Sequence, residues 1–261
     1  MIKVVFLGAG ASPGVPSISC GWGACNPNNP KNVRRRTSTY YDINGVKILV
    51  DTSPDLRAQM LDNNVYELDG VCYTHAHFDH ICGIDELREI NRRTCKPLDI
   101  YAPKTVMKEI KQRYGYMVVK NDKPDFYLSR GGLIPYTVKP NREFYIKNIK
   151  LMPIKLLGHN TPSYGYIIND EIVHLGDFKL LAGSAKERIA AIKPKLMVMP
   201  LTIVDTHKHH IGLKEAMAYV ESFEPERVVF NHMATECDYD YVNENTPDFV
   251  QPAYDNLRLE W

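Results

Sequence analysis

The segment Thr74-His75-Ala76-His77-Phe78-Asp79-His80 packs four metal-ligating side chains into the six residues from His75 to His80. Imidazole nitrogens suit zinc, iron and manganese-like ions, and carboxylate oxygens favour harder ions. A lone His-x-His fits a surface or core role as well as a ligand role. Four such side chains directly after an apolar, β-type run point to metal. On an irregular loop, His75 and His77 can aim at one metal while Asp79 and His80 turn toward a second. The cluster cannot close two sites alone, but three further groups stand at the ends of apolar stretches: His159 in Leu157-Gly158-His159-Asn160, Asp177 in Leu175-Gly176-Asp177 and His232 in Phe230-Asn231-His232. A single carboxylate such as Asp177 can bridge two cations and partly neutralise them. Two cations lower the pKa of a shared water, so that hydroxide exists near neutral pH, and they absorb charge developing on a phosphodiester or carbonyl oxygen. Asp79 can orient that hydroxide as well as bind metal.

These groups need a rigid frame. Apolar, β-branched runs that end in turn signals are expected strands: Ile2–Leu7, Thr39–Tyr41, Val46–Val50, Gly70–Tyr73, Leu98–Tyr101, Ile149–Ile154, Tyr164–Ile168, Ile172–Leu175, Leu196–Met199 and Arg227–Phe230. Asn44-Gly45 is a hairpin signal between the second and third. Helical patterns cover Asp55–Asn63, Ile84–Arg93, Lys104–Tyr114, Ser184–Ile192 and Leu213–Ser222. Strands come first as a meander and then alternate with helices, which predicts an α/β fold of sheets covered by helices. The expected ligands follow strand ends, where a sheet can hold loops rigidly.

The chain has 261 residues, 44% of them apolar and 24% charged, with a net charge of +1. That is ordinary for a soluble globular protein, and the chain is read as one domain over 1–261. The charge balance gives no bulk grip on nucleic acid, so a phosphate-binding surface must be local. No run approaches the ~18 apolar residues needed to span a bilayer, and the short apolar start reaches Gly8-Ala9-Gly10 too soon for a signal peptide. Six scattered cysteines without an export signal point to a reducing, cytoplasmic setting.

His-x-His-x-Asp-His followed at long intervals by His, Asp and His resembles the metallo-β-lactamase superfamily, and the resemblance covers nearly the whole chain. It implies the αβ/βα sandwich, two facing mixed β-sheets with helices outside. It also implies a division of ligands: His75, His77, His159 and Asp177 for one divalent ion; Asp79, His80, His232 and the bridging Asp177 for the other. The ions would be zinc or manganese, with iron also compatible. Asp51, in Ile48-Leu49-Val50-Asp51-Thr52, matches the strand-end aspartate that orients the histidine loop from behind.

The flanking segments narrow the branch. Gly8-Ala9-Gly10-Ala11-Ser12-Pro13-Gly14-Val15-Pro16, Cys20, Cys25, Arg34-Arg35-Arg36, the His209-His210-Ile211-Gly212 segment and the tail Ala253-Tyr254-Asp255-Asn256-Leu257 look like the phosphoribosyl cyclic phosphate phosphodiesterases, relatives of the tRNA 3′-processing endonuclease. A Rossmann reading of Gly8-Ala9-Gly10 fails, because the third glycine is one place late and Pro13 intrudes. A phosphate-facing loop is the better reading. Arg34, Arg35 and Arg36 are candidates to hold substrate phosphate, since guanidinium forks fit phosphate oxygens. His210 matches the family's candidate general acid for the leaving oxygen; His207 and His209 read as solvent-facing neighbours. Cys20 and Cys25 stand where the resemblance places a structural zinc. Trp22 and Thr235 replace two further ligands, and two thiolates rarely close such a site, so no extra zinc is expected. Lys104, Lys108, Lys111, Arg113, Lys120 and Lys123 are basic but lie on a helix with a tyrosine-rich end. No Gly- and Lys-rich tRNA-gripping insertion is evident.

The function expected is therefore a phosphodiesterase acting through metal-activated hydroxide on a small cyclic or nucleotide-like phosphodiester. Thioester or lactone hydrolysis on the same fold, or a non-catalytic metal- and nucleotide-binding module, are the alternatives. The expected partners are that small substrate and, at most, a second copy of the chain in a homodimer, with neither nucleic acid nor membrane.

Overall fold

The computed structural model describes residues 1–119 and 132–261. Of the expected basic helix, Lys120 and Lys123 lie outside the described residues. Strands are β1 (Ile2–Gly8), β2 (Ser38–Ile43), β3 (Val46–Val50), β4 (Gly70–Cys72), β5 (Leu98–Pro103), β6 (Leu133–Val138), β7 (Phe144–Ile146), β8 (Ile149–Leu157), β9 (Ser163–Ile168), β10 (Ile172–Leu175), β11 (Leu180–Leu181), β12 (Leu196–Pro200), β13 (Val228–Asn231), β14 (Val250–Pro252) and β15 (Leu257–Glu260). Helices are α1 (Leu56–Asp62), α2 (Phe78–Ile81), α3 (Leu87–Thr94), α4 (Lys104–Arg113), α5 (Gly183–Ile192), α6 (Leu213–Phe223) and α7 (Tyr239–Glu244).

Among the described residues the strands form two mixed sheets. One has seven strands in the order β15-β1-β2-β3-β4-β5-β6; the other has eight, β11-β8-β9-β10-β12-β13-β14 with β7 also on β8. In the first, β1, β2 and β3 form an antiparallel meander, and β3 to β6 run parallel. In the second, β8, β9 and β10 are antiparallel and β10, β12, β13 and β14 parallel. The Asn44-Gly45 turn carries φ of 51° and 86°, the left-handed pair that a two-residue hairpin demands.

Period-two alternation sorts the first sheet's side chains. Val4, Phe6, Tyr41, Ile43, Ile48 and Val50 face inward and pack with Leu151, Tyr166, Ile168 and Ile172 of the second sheet. Val5, Leu7, Tyr40, Leu49 and Val71 face outward, beneath Leu56, Met60, Leu87, Ile90, Val106 and Ile110 of the covering helices. In the second sheet, Leu196–Met199 and Val228–Phe230 are buried throughout, as parallel strands covered on both faces must be. The expected sandwich is the observed one.

Two expectations need correction. The histidine segment is not irregular throughout: Phe78–Ile81 makes one helical turn, with the amides of His80 and Ile81 both bonding back to the His77 carbonyl. The predicted Ile84–Arg93 helix begins later, at Leu87, after a 3₁₀ stretch over Cys82–Glu86.

Candidate metal centre

The predicted ligands converge at one end of the sandwich, just beyond strand ends of both sheets. His75, His77, Asp79 and His80 follow β4; His159 follows β8, Asp177 follows β10 and His232 follows β13. Close packing makes this possible. A Cβ on Gly176 would lie 2.7 Å from both Thr74 Cβ and the Tyr164 carbonyl, so only glycine lets Asp177 come this near the histidine segment. Asp51 and His232 occupy the left-handed region at φ 62° and 55°, turning each strand end sharply into the site.

Ligand atoms fall into overlapping groups within 4.8 Å of one another: His75, His77 and His159; Asp79, His80 and His232; and His75, His80 and Asp177. A further group joins His159, Asp177 and His210. His75 Nε2 lies 3.2 Å from His77 Nδ1, which lies 3.1 Å from His159 Nε2. His80 Nε2 lies 3.3 Å from His232 Nε2, which is 3.1 Å from Asp79 Oδ2 and 3.5 Å from Asp177 Oδ2. Asp177 thus stands between the two groups.

The outer ring nitrogens explain why these atoms point inward. His80 Nδ1 is 2.7 Å from Asp51 Oδ2. Thr74 donates its backbone N–H to Asp51 Oδ1 at 2.8 Å and its hydroxyl to Asp51 Oδ2 at 2.7 Å. Since its hydrogen is committed to Asp51, the Thr74 hydroxyl can only accept from His75 Nδ1, 3.0 Å away. His159 Nδ1 is 3.4 Å from the His209 carbonyl, and His232 Nδ1 is 3.1 Å from Thr202 Oγ1. Four imidazoles therefore have an outward N–H acceptor and an inward Nε2, the arrangement of metal-ligating histidine. The donor set fits two divalent cations. Sequence reasoning singled out neither Thr74 nor Thr202; only the directions of these hydrogen bonds reveal them.

The electrostatics agree. Burial would lower His80, but Asp79 and Asp51 outweigh it and hold it well above the ordinary histidine value. His232 is raised in the same way, its burial outweighed by Asp177 and Asp79. Burial would raise Asp79 and Asp177, yet both are lowered, Asp79 by His80 and His232 and Asp177 by His232 and His80. His75, His77 and His159 are lowered, chiefly by burial. The same carboxylates that raise His80 and His232 would favour a divalent cation beside them.

Above the centre lies a cavity of about 590 Å³. The loop after β1 reaches it through Ala11, Ser12 and Pro13, in keeping with a substrate-facing loop. His207 and His210 line it too. His207 is exposed as expected, whereas His209 is half-buried, with its carbonyl turned to His159. Burial pushes His210 down to about 4, so it is a neutral imidazole at neutral pH.

The structure gives the three candidate arginines partners within the protein. Arg34 is 2% exposed, with its guanidinium bonded to Asn32 Oδ1 at 2.9 Å and to the Ala234 carbonyl at 3.4 Å. Arg35 is paired with Asp62 at 2.6 Å and Arg36 with Asp55 at 3.1 Å. None of the three lines the cavity. Backbone bridges Val15–Arg34 and Gly10–Arg36 fasten this segment to the loop after β1. Cys20 lies on the cavity rim, while Cys25 is buried with its sulfur 3.5 Å from the Thr235 carbonyl.

Residues 46–233 match the beta-lactamase superfamily domain. Over 98% of its length the chain is 30% identical to an octanoyltransferase of Porphyromonas gingivalis, of which it covers 51%. Over 57% of its length it is 26% identical to a ribonuclease Z of Clostridium beijerinckii, of which it covers 46%. It thus spans about half the length of these curated relatives. Among solved structures, a diphosphatase from the PhnP family superposes with a TM-score of 0.88 at 25% identity, over 100% of this chain and 98% of that one.

Proposed function

Because the chain belongs to the β-lactamase superfamily, whose members are typically hydrolases and bind divalent metals, we propose that it is a dinuclear metal-dependent phosphodiesterase for a small cyclic or nucleotide-like phosphodiester. The observation that carries this reading is the convergence of seven donor side chains beneath one cavity, with His210 on its wall. His75, His77 and His159 would hold one cation; Asp79, His80 and His232 would hold the other, and Asp177 would serve both. Two such ions, zinc or manganese with iron also compatible, lower the pKa of water and take up charge on phosphoryl oxygens. Asp79 orients the attacking oxygen. His210 offers a hydrogen to the leaving oxygen. Neutral donors on the wall, among them Ser12 and Asn160, would hold the phosphate. Among the described residues no lysine or arginine lines that wall, so the cavity suits a diester bearing a single negative charge.

Two further observations support parts of this reading. The six cysteines are free, in keeping with a cytoplasmic setting. Among the described residues no helix is long and apolar enough to cross a membrane.

A second reading, hydrolysis of an acyl thioester, is favoured by the octanoyltransferase relative and by Phe78, which lines the cavity and is 59% exposed. Zinc- or manganese-loaded protein is expected to cleave bis(p-nitrophenyl) phosphate and 2′,3′-cyclic nucleotides. Turnover of octanoyl thioesters but no phosphodiester would reverse the order of the two. Stoichiometric metal with nucleotide binding but no turnover would identify a binding module.

A further inference from the structure

Resting on this reading of the site, we propose that Thr202 is a positioning residue that fixes which ring nitrogen of His210 carries hydrogen, so that His210 presents Nε2–H to the substrate. The Thr202 hydroxyl lies 3.1 Å from His232 Nδ1 and 3.2 Å from His210 Nδ1. One hydroxyl has a single hydrogen to donate. His232 Nε2 faces Asp79, Asp177 and His80. A histidine that turns Nε2 into a metal centre carries its hydrogen on Nδ1, so Nδ1 of His232 donates to Thr202. The hydroxyl hydrogen is then free for His210 Nδ1, which must accept it. Thr74 works by the same rule on the other side of the centre, except that its hydrogen ends on Asp51 rather than on a second imidazole.

An accepting Nδ1 leaves the ring hydrogen of His210 on Nε2. Among the described residues that nitrogen has no hydrogen-bond partner, and the ring lines the cavity. Thr202 is not the only group near Nδ1. Asp177 Oδ2 lies 3.7 Å away and would accept a hydrogen from it. Thr202, being closer and a donor, holds the ring in the opposite tautomer. The neutral Nε2–H can then hydrogen-bond the leaving oxygen while that oxygen gains charge, after which the alkoxide takes its proton from solvent.

Long-range proton–nitrogen correlation on histidine-labelled, zinc-loaded protein tests this directly. In the wild type, His210 is expected to show a bare Nδ1 and a protonated Nε2, and His232 a protonated Nδ1. Thr202→Val should move the His210 hydrogen to Nδ1, toward Asp177, and Thr202→Ser should restore the wild-type pattern. On a phosphodiester with a poor leaving group, Thr202→Val should lower kcat by about 10- to 100-fold with KM unchanged. A wild-type His210 protonated on Nδ1, or a tautomer unaffected by Thr202→Val, overturns the proposal. If Thr202→Val does not fold, the wild-type and Thr202→Ser spectra still decide it. The spectra need no turnover, so absence of phosphodiesterase activity would sink the functional reading while leaving this one to stand or fall separately.

Discussion

Asp51 shows how much one carboxylate behind a metal centre can govern. Its two oxygens take three hydrogens, from Thr74 N, Thr74 Oγ1 and His80 Nδ1, and so orient His75 and His80 together. Asp51→Asn puts an amide donor where an acceptor is required, and is expected to weaken metal binding by about 10- to 100-fold in a chelator competition; unchanged affinity would contradict the orienting role. The buried His174 makes a separate, pH-dependent prediction. Its Nδ1 lies 2.8 Å from Tyr41 Oη between the sheets, and burial lowers it to about 4. The unfolded chain binds this proton more readily than the folded one. The stability this group contributes is therefore complete above about pH 6.5 and is lost as pH falls toward 4, on the order of 3 kcal/mol in all. From pH 6.5 to 4, the urea-unfolding free energy of the wild type should fall by about that amount relative to that of His174→Asn. For the arginines, Arg35→Ala and Arg36→Ala should leave KM for a phosphodiester unchanged, and Arg34→Ala should cost about 2–3 kcal/mol of unfolding free energy through its lost buried hydrogen bonds. The metal-ligating types were legible in the sequence because few other roles explain four of them in six residues. The partners of the arginines were not legible, because sequence shows charge but not which groups an irregular segment brings beside it.

At the scale of elements, the site depends on how closely β10 approaches the segment after β4. Gly176→Ala would place a methyl 2.7 Å from Thr74 Cβ and the Tyr164 carbonyl. It is expected to cost about 1–3 kcal/mol in thermal unfolding and to lower metal content, because Asp177 moves with the backbone. A stable variant with full metal content would show that this approach is not critical. The long, strongly patterned elements were readable. Helix α6 was placed within one residue, at Leu213–Phe223. What escaped included the six-residue β6, whose burial does not alternate, and short pieces such as the four-residue α2, whose polar ligands mask any apolar period, and β14 and β15, three and four residues long. Such pieces are held by their neighbours rather than by their own pattern. Thr74 and Thr202 escaped for a related reason, since a threonine beside a histidine has no spacing signature and its role lies in hydrogen-bond direction.

Across the whole molecule, the alternation of meander and crossover strands was enough to anticipate two covered sheets, because strands of this kind must bury two different faces. The sequence could not show how those sheets are joined at the site. His75, His77, Asp79 and His80 belong to the first sheet's strand ends, and His159, Asp177 and His232 to the second's. Cations held by both sets would fasten one sheet to the other. Chelation should therefore lower Tm and open the sandwich edge to limited proteolysis, and added zinc should reverse both. In a cell, such fastening would make metal supply a determinant of how long each copy survives. Starved of metal, the protein would be cleared by proteases, so that its abundance, and not only its turnover rate, would report the free metal level.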